Sequence, residues 1–207
     1  MLVLDKPAGL LSVPGRGPDN ADCLSARVQA QFPDALVVHR LDMGTSGLLV
    51  MARGAAAQRS LSMAFAQRQV HKRYQAVVSG RLDAKDADKD GWCDIRLPLI
   101  VDWPNRPRSK VDPVAGKPSH TRWRALAVES LAVGQDCTRL ELVPVTGRSH
   151  QLRVHLLALG HPIVGDELYA EGWAVNAAPR LLLHAESIEL PHPLSGKAMS
   201  WHSPAPF

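Results

Sequence analysis

The sequence is poor in cysteine, with only Cys23, Cys93 and Cys137 among its 207 residues. Their number is odd and they lie far apart, which argues against a framework of disulfides and for a reducing compartment, here the cytoplasm. No two cysteines form a CxxC or CxxxC pair, so the sequence lacks the zinc sites built on such pairs.

Long apolar runs and several catalytic motifs are also missing. No run is long enough to span a bilayer, and the opening MLVLDKPAGLL is charged too early for a secretory signal, so no membrane partner is expected. GxSxG, HExxH, GxxxxGK[ST] and GxGxxG do not occur. His150 and His155 lie about 140° apart around a predicted helix and cannot share a metal-binding face. We therefore expect no metal site and no nucleotide cofactor.

What remains is an ordinary globular composition with an uneven distribution of charge. The chain is 45% hydrophobic and 21% charged, with a formal net charge of +4, and its length allows one domain or two small ones. Between Trp103 and Arg124 six Lys or Arg stand against one acid, whereas Asp83 to Asp94 holds five Asp against two Lys. The basic segment indicates either a surface that faces phosphates or a merely solvated face.

Periodicity predicts an α+β fold with a mixed or antiparallel sheet. Helices are predicted over Cys23–Phe32, in GAAAQRSLSMAFAQRQ, and in TGRSHQLRVHLLALGHP, where Ser149 is the expected N-cap and Gly160 the stop. The opening VLDK, ALVVHRL, GLLVMAR, KRYQAVVSG, SHTRWRALAV, CTRLELVPV, RLLLHAESIELPHP and AMSWHSP are predicted strands. The Asp83–Gly91 segment is expected to be a solvated loop, and DWPNRPRSKVDPVAGKP a long basic loop or arm without regular structure.

One carboxylate stands out, in VVHRLDMGTSGLLVMAR (Val37 to Arg53). Asp42 lies between two apolar stretches, and taken alone it reads as a turn aspartate that bonds its own backbone. Arg40 lies two residues before it, and Arg153 on the last predicted helix offers a second cation. Because a partly buried carboxylate needs a cationic partner to stay ionised, Asp42 is also a candidate for chemistry on a nucleobase or sugar.

The residues around Asp42 carry a family resemblance. HRLDMGTSGLLV resembles the HRLDxxTSGLL motif of the RluA family of pseudouridine synthases. KRYQAVVSG is similar to its K-x-Y-x-A-x-V-x-G strand, and GRSHQLRVHLLALGHPIVGDELY to its GRxHQIRxHLxxxGHPIxGDxxY segment. LDKPAGLLSVPG and RLLLHA match two further motifs. The five motifs occur in the family's order, which implies a single pseudouridine-synthase-like catalytic domain over residues 1–207, with a mixed, mostly antiparallel sheet and flanking helices.

The resemblance implies an isomerase that converts a uridine of RNA to pseudouridine without a cofactor. It assigns Asp42 as the catalytic carboxylate, Tyr74 as the aromatic residue stacked on the target base, and Arg153 as the cation paired with the catalytic Asp. Arg40 matches the arginine that enters the space left by the flipped base. The other residues expected to bind RNA are Arg148, His150, Arg106, Arg108 and Lys110.

The resemblance also implies a substrate, and comparison with the family's motifs shows where this sequence departs from them. DWPNRPRSKV and GKPSHT resemble the subfamily that acts on both 23S ribosomal RNA and a tRNA anticodon stem-loop, and a monomer is expected. The chain begins inside the family's first strand, so an N-terminal strand is expected to be missing, and no S4-type RNA-binding module is expected. The acidic Asp83–Asp94 insertion is longer than expected.

Two rival functions remain at this level. A non-catalytic RNA-binding protein would explain the basic arm but leaves Asp42 without a role, since a carboxylate repels phosphate. A nucleoside or glycoside hydrolase would require a second carboxylate placed for acid catalysis. Asp166 and Glu167, the nearest candidates, look structural.

Overall fold

The computed structural model describes residues 1–17, 20–131 and 134–207. Its strands are β1 Leu2–Lys6, β2 Ala35–Val37, β3 Ser46–Arg53, β4 His71–Ser79, β5 Cys93–Ile95, β6 Leu99–Val101, β7 Ser109–Val111, β8 Thr121–Ser130, β9 Asp136–Pro144, β10 Leu183–Pro191 and β11 Ala198–His202. Its helices are α1 Leu24–Gln31, α2 Gly54–Ala66, α3 Gln151–Ala158 and α4 Trp173–Asn176. The chain divides into two compact units, Met1–Lys72 with His184–Phe207, and Arg73–Leu183.

The first unit is organised around β3, whose first seven residues are all buried. β3 pairs antiparallel with β1 and β2 and parallel with β10, and β10 pairs antiparallel with β11. The central place predicted for GLLVMAR is therefore confirmed. The other predicted strand, ALVVHRL, is shorter than expected: β2 ends at Val37, because the residues after it leave the sheet as the loop that carries Asp42.

A glycine allows β3 and β10 to approach closely. Gly47 has φ +106°, and a Cβ there would lie 2.4 Å from the carbonyl oxygen of Ala185. Both residues belong to family motifs, TSGLL and RLLLHA. Any larger residue at position 47 would meet backbone that cannot move aside cheaply.

The core of this unit lies between the sheet and α2. It consists of the buried residues Leu48, Val50, Ala52, Ala57, Leu61, Ile188 and Leu190. The predicted apolar face of α2 is confirmed, since Leu61 is fully buried and Phe65 packs against the cluster. Burying one leucine side chain of this kind contributes roughly 2–3 kcal/mol to folding.

The second unit contains an antiparallel sheet in the order β4, β9, β8, β5. β8 and β9 form a long hairpin with a register shift between Ala125 and Ala127. Together with the first unit, these pairings confirm an α+β fold whose strand pairs are mostly antiparallel. The segment Asp83–Gly91 contains no helix or strand, as predicted.

The N-terminus of α3 differs from the prediction. Ser149 is not the N-cap; that position is held by His150, which has φ +55° and makes no side-chain cap bond. Gln151, the first residue of the helix, instead binds the segment before it, since its Oε1 accepts the Arg148 N–H at 3.0 Å. The predicted end is confirmed, since α3 stops at Ala158 and Gly160 has φ +83°.

The basic arm contains regular structure, which corrects the prediction that it is a long loop without any. The arm contains the 3-10 turn Trp103–Asn105 and β7, and β7 pairs antiparallel with β6, which directly precedes the arm, so that Leu99 faces Val111 and Val101 faces Ser109. Leu99 is buried in a small cluster with Val154 of α3 and Tyr169. Burial of this one leucine supports strands that the proline and charge content had masked.

Two further searches concern only the described part of the chain. There, no helix is both long and apolar enough to cross a bilayer. The same residues contain no group of three or more His, Cys, Asp or Glu side chains arranged to hold a metal ion.

Candidate active site and nucleic-acid interface

The loop that carries Asp42 is held on both sides of that residue by the opening segment of the chain. The Ser12 hydroxyl donates to the carbonyl oxygen of Leu41 at 2.7 Å and accepts the Leu41 N–H at 3.1 Å. The carbonyl oxygen of Met43 accepts the Gly9 N–H at 2.9 Å and a proton of the Lys6 ammonium at 3.0 Å. Asp42 itself is half-buried. Both of its neighbours are thus fixed to KPAGLLS, which explains why that motif accompanies HRLD.

Lys6 is the unusual member of this arrangement because its side chain is fully buried. Its ammonium also donates to the carbonyl oxygens of Pro7 at 2.8 Å and Leu10 at 2.7 Å. A buried charge is tolerated only where hydrogen bonds replace its hydration. Lys6 therefore joins the turn after β1 to the Asp42 loop.

Replacing Lys6 with Met is expected to lower the free energy of unfolding by about 3 kcal/mol, because three backbone carbonyls lose a charged donor. In a chain of this length such a loss corresponds to a decrease in Tm of roughly 6–12 °C. Thermal unfolding followed by circular dichroism measures it. Lys85→Met is the control, because the Lys85 side chain is 81% exposed. An unchanged Tm for Lys6→Met would contradict this role.

His39, in the same HRLD motif, is a neutral hydrogen-bond acceptor. Its Nε2 accepts the Val50 N–H at 2.9 Å, and its ring packs against Phe65 with centroids 4.7 Å apart. Burial, with a smaller contribution from the Lys72 ammonium, lowers the pKa of His39 to about 3. The neutral ring ties the residue before Arg40 to β3 and so supports the loop from a third direction.

Folding stability is expected to fall between pH 6.5 and pH 4 because of His39. An unfolded histidine has a pKa near 6.5, so below that pH the unfolded state binds a proton that the folded state excludes. With a folded pKa of about 3, the loss reaches about 3 kcal/mol by pH 4. Urea unfolding of wild type and His39→Gln across this range measures it. Gln can still accept the Val50 N–H, so the variant should show a shallower pH dependence; equal slopes would contradict the assignment.

Tyr74 lies on β4 and is buried, with 8% of its surface exposed. Its strand partner in the register is Leu142 of β9. A buried strand tyrosine is compatible both with a core position and with a ring that forms one wall of a site. The predicted stacking of Tyr74 on a target base stays a prediction.

Arg153 is buried and pairs with Asp166. Its Nε and Nη2 donate to the two carboxylate oxygens of Asp166 at 2.7 and 2.6 Å, and both side chains are almost fully enclosed. Asp166 Oδ1 also accepts the N–H groups of Leu168 and Tyr169. The sequence interpretation set Asp166 aside as structural, and the geometry gives it a definite role, because its carboxylate orients the guanidinium of Arg153. The predicted pairing of Arg153 with Asp42 stays a prediction.

Several of the residues predicted to bind RNA or to act in catalysis contact the side chain of Tyr169. The guanidinium carbons of Arg153 and Arg108 lie 4.9 and 5.3 Å from its ring centroid. Its hydroxyl accepts the Ser109 N–H at 2.7 Å and lies 2.7 Å from Nδ1 of His150. His150 is therefore half-buried and held by Tyr169, which also binds the β6–β7 hairpin. The sequence predicted that His150 binds RNA but did not predict its contact with Tyr169.

The remaining residues predicted to bind RNA are exposed. Arg106 lies over the Trp103 ring at 4.0 Å, and the Lys110 ammonium is 3.6 Å from Asp102. The Arg148 guanidinium donates to the carbonyl oxygen of Pro118 at 3.3 Å. Arg40, on the Asp42 loop, is exposed and has no ion-pair partner within the residues that the structure describes.

Sequence reasoning missed Lys6, Asp166 and Tyr169. Each lies in a family motif, namely KPAG for the first and GDELY for the other two, so the resemblance pointed at them without giving a role. Their roles depend on partners 13 to 60 residues away. Such pairings leave no local periodicity to detect.

The sequence pattern of a family described as RNA pseudouridylate synthase matches residues 1–158. A protein from Vibrio vulnificus (strain CMCP6), described as dual-specificity RNA pseudouridine synthase RluA, is 49% identical over 207 residues, which are 100% of this chain and 80% of that protein. A protein of the same description from Escherichia coli (strain K12) is 48% identical, over 100% of this chain and 90% of its own length.

Solved structures give a consistent result. Human RNA pseudouridylate synthase domain containing 1 superimposes with a TM-score of 0.79 at 30% identity, over 99% of this chain and 80% of that one. Human RNA pseudouridylate synthase domain containing 4 gives a TM-score of 0.74 at 21% identity, over 99% and 85%. The second likeness concerns the fold alone.

Proposed function

Because this chain belongs to the RNA pseudouridine synthase family, we propose that it isomerises one uridine of 23S ribosomal RNA and one of a tRNA anticodon stem-loop to pseudouridine. The observation that carries the choice of substrates is identity of 48–49% along the whole chain to relatives described as dual-specific. The basic hairpin, which consists of β6, β7 and the turn between them, supports the same choice, because it contains DWPNRPRSKV, which resembles that subfamily in sequence.

Asp42 is the proposed catalytic carboxylate. The reaction breaks the bond between N1 of uracil and C1′ of ribose, rotates the base, and forms a bond between C5 and C1′ while C5 loses its proton. Asp42 acts at the ribose, either by attacking C1′ or by removing a proton to give a glycal. The bonds that Ser12 and Lys6 make to its two neighbours support this role, since a reacting carboxylate must be held in place.

Base flipping supplies the reacting uridine in this proposal. Extruding a base costs a few kcal/mol, and a planar guanidinium can stack in the space that it leaves. Arg40 is proposed for that role because it is exposed on the Asp42 loop. Tyr74 is proposed to stack on the extruded uracil near C5, and Arg153 to keep the catalytic carboxylate ionised.

The reaction needs no cofactor, because an isomerisation involves no redox change and no external group donor. We further propose that the two units serve this one activity as a single catalytic domain. The family pattern supports this, since it begins in the first unit and continues into the second. A monomer is proposed from the resemblance. A cytoplasmic location is proposed from the three cysteines, which are present as free thiols.

Release of tritium from C5 of labelled uridine tests the proposal, since C5 loses its proton only if isomerisation occurs. A 23S ribosomal RNA fragment and a tRNA anticodon stem-loop are supplied separately, with binding of each RNA measured alongside. Release from both RNAs is expected. Binding of both without release would contradict isomerase activity on them, and release from only one would contradict dual specificity.

The basic hairpin is expected to bind phosphates. Replacing Arg106, Arg108 and Lys110 together with Ala should weaken RNA binding and reduce the slope of log Kd against log salt by about 2, since each lost phosphate contact removes about 0.7–0.9. Filter binding between low and moderate salt measures both effects. Lys85→Ala, in the acidic loop, is the control, and an unchanged slope for the triple variant would exclude this role.

A further inference from the structure

An apolar cavity of about 240 Å³ lies beside the basic hairpin, within the second unit. The residues that line it include Leu99 and Val101 of β6, Trp103, Ala115, Lys117 and Arg148. The volume is below the about 300 Å³ at which pockets for drug-sized ligands begin. It therefore suits a single flat ring system.

Trp103 is exposed to an extent that folding does not explain. Its residue surface is 64% exposed, and Val101 beside it is 38% exposed. Leaving a large aromatic side chain in water forgoes the stabilisation that burial would provide. The guanidinium of Arg106 lies over the indole ring, 4.0 Å from its centre.

The charges around the cavity select an anionic ligand. Among the described residues no acidic side chain lines it, whereas Lys117 and Arg148 do. The two acids in and next to the hairpin have other partners: Asp102 binds Asn105 and Lys110, and Asp112 accepts the N–H groups of Val114 and Ala115. Arg148 donates Nε and Nη2 to one carbonyl oxygen, which leaves other N–H groups of its guanidinium to bind a ligand.

We propose that this cavity, which we call the Trp103 site, binds one unstacked nucleobase of the substrate RNA other than the target uridine. The base lies against Trp103 and the apolar wall, while its phosphate contacts Lys117 and Arg148. Single-stranded RNA is recognised by such pairs of an aromatic platform and nearby cations. The inference rests on the proposed function, because it takes the substrate to be RNA with an unpaired loop.

Trp103→Ala is expected to raise the Kd for the anticodon stem-loop about 10-fold, as typical for loss of one base-stacking contact. The loss should appear in KM and much less in kcat for tritium release. Trp103→Phe should restore most of the affinity, and Ala115→Leu, which fills the cavity and keeps every charge, should weaken binding similarly. Leu194→Ala is the control for loss of an exposed apolar side chain, because Leu194 is 80% exposed and lies in the other unit.

Abasic nucleotides placed one at a time in the RNA identify the bound base. At one position other than the target, an abasic site should weaken binding by wild type about 10-fold and cause no further loss in Trp103→Ala. Equal losses in both proteins at every position would overturn the inference. A Trp103→Ala protein that binds RNA normally but differs from wild type in sedimentation would also overturn it, in favour of contact between copies of the chain.

The two proposals fail in different ways. If no RNA releases tritium while one abasic position remains coupled to Trp103, the base site stands and the isomerase proposal falls. If tritium is released and no position is coupled to Trp103, the base site falls and the isomerase proposal stands.

Discussion

Replacing Asp42 with Asn is expected to lower the rate of tritium release at saturating RNA by at least about 1,000-fold. Asn has nearly the same shape, but it carries no charge and can neither attack C1′ effectively nor accept a proton from the ribose. The loop should keep its position, because the contacts made by Ser12 and Lys6 involve only the backbone of the neighbouring residues. Single-turnover release from the anticodon stem-loop measures the effect.

Asp83→Asn in the acidic loop makes the same chemical change at an exposed position and should not alter the rate. RNA binding by Asp42→Asn should stay close to that of wild type, which separates lost chemistry from lost affinity. Equal release by wild type and Asp42→Asn would show that another group performs the reaction. The turn-aspartate interpretation of Asp42 would then be the correct one.

Replacing Asp166 with Asn is expected to lower the free energy of unfolding by about 3 kcal/mol, which is a decrease in Tm of roughly 6–12 °C. The cause is the Arg153 guanidinium, which would remain buried without the carboxylate that now receives two of its N–H groups. Thermal unfolding measures the loss. Glu167→Gln is a matched control, because the neighbouring Glu167 is exposed.

A double variant separates the ion pair from general damage to the fold. Removing Arg153 as well, in Arg153→Met with Asp166→Asn, takes away the uncompensated charge, so the double variant should be less destabilised than the sum of the two single changes. Additive losses would mean that the pair contributes nothing beyond packing. Activity of Asp166→Asn, measured below its Tm, should be reduced through kcat if Arg153 must be oriented for the reaction.

Elements whose own side chains face the core were predictable. β3 contains GLLVMAR and is buried at every residue before Arg53, and α2 places Leu61 in the core as its spacing predicts. In such segments the spacing of the apolar residues shows directly which positions are buried. The five family motifs are equally local, so the family is recognisable from the order of the residues alone.

Predictions failed where a distant partner decides the local conformation. Ser149 has the chemistry of an N-cap, yet His150 holds that position with its side chain against Tyr169, 19 residues further on. The hairpin of β6 and β7 was missed, because its second strand lies in the segment predicted to be an irregular arm, where proline and charge dominate the sequence. Burial of Leu99 against Val154 supports those strands, and no pattern within the segment reveals it.

By itself the sequence determined the family and the α+β class, because motifs and apolar periodicity are properties of residues near one another in the chain, and it singled out Asp42 as the carboxylate to test. Tertiary structure alone decided how the Asp42 loop is held and how Arg153 is oriented. The buried ammonium of Lys6 finds the carbonyl of Met43, 37 residues away, and Arg153 finds the carboxylate of Asp166. Burying a charge is costly unless a partner compensates it, and only the folded chain brings such partners within reach.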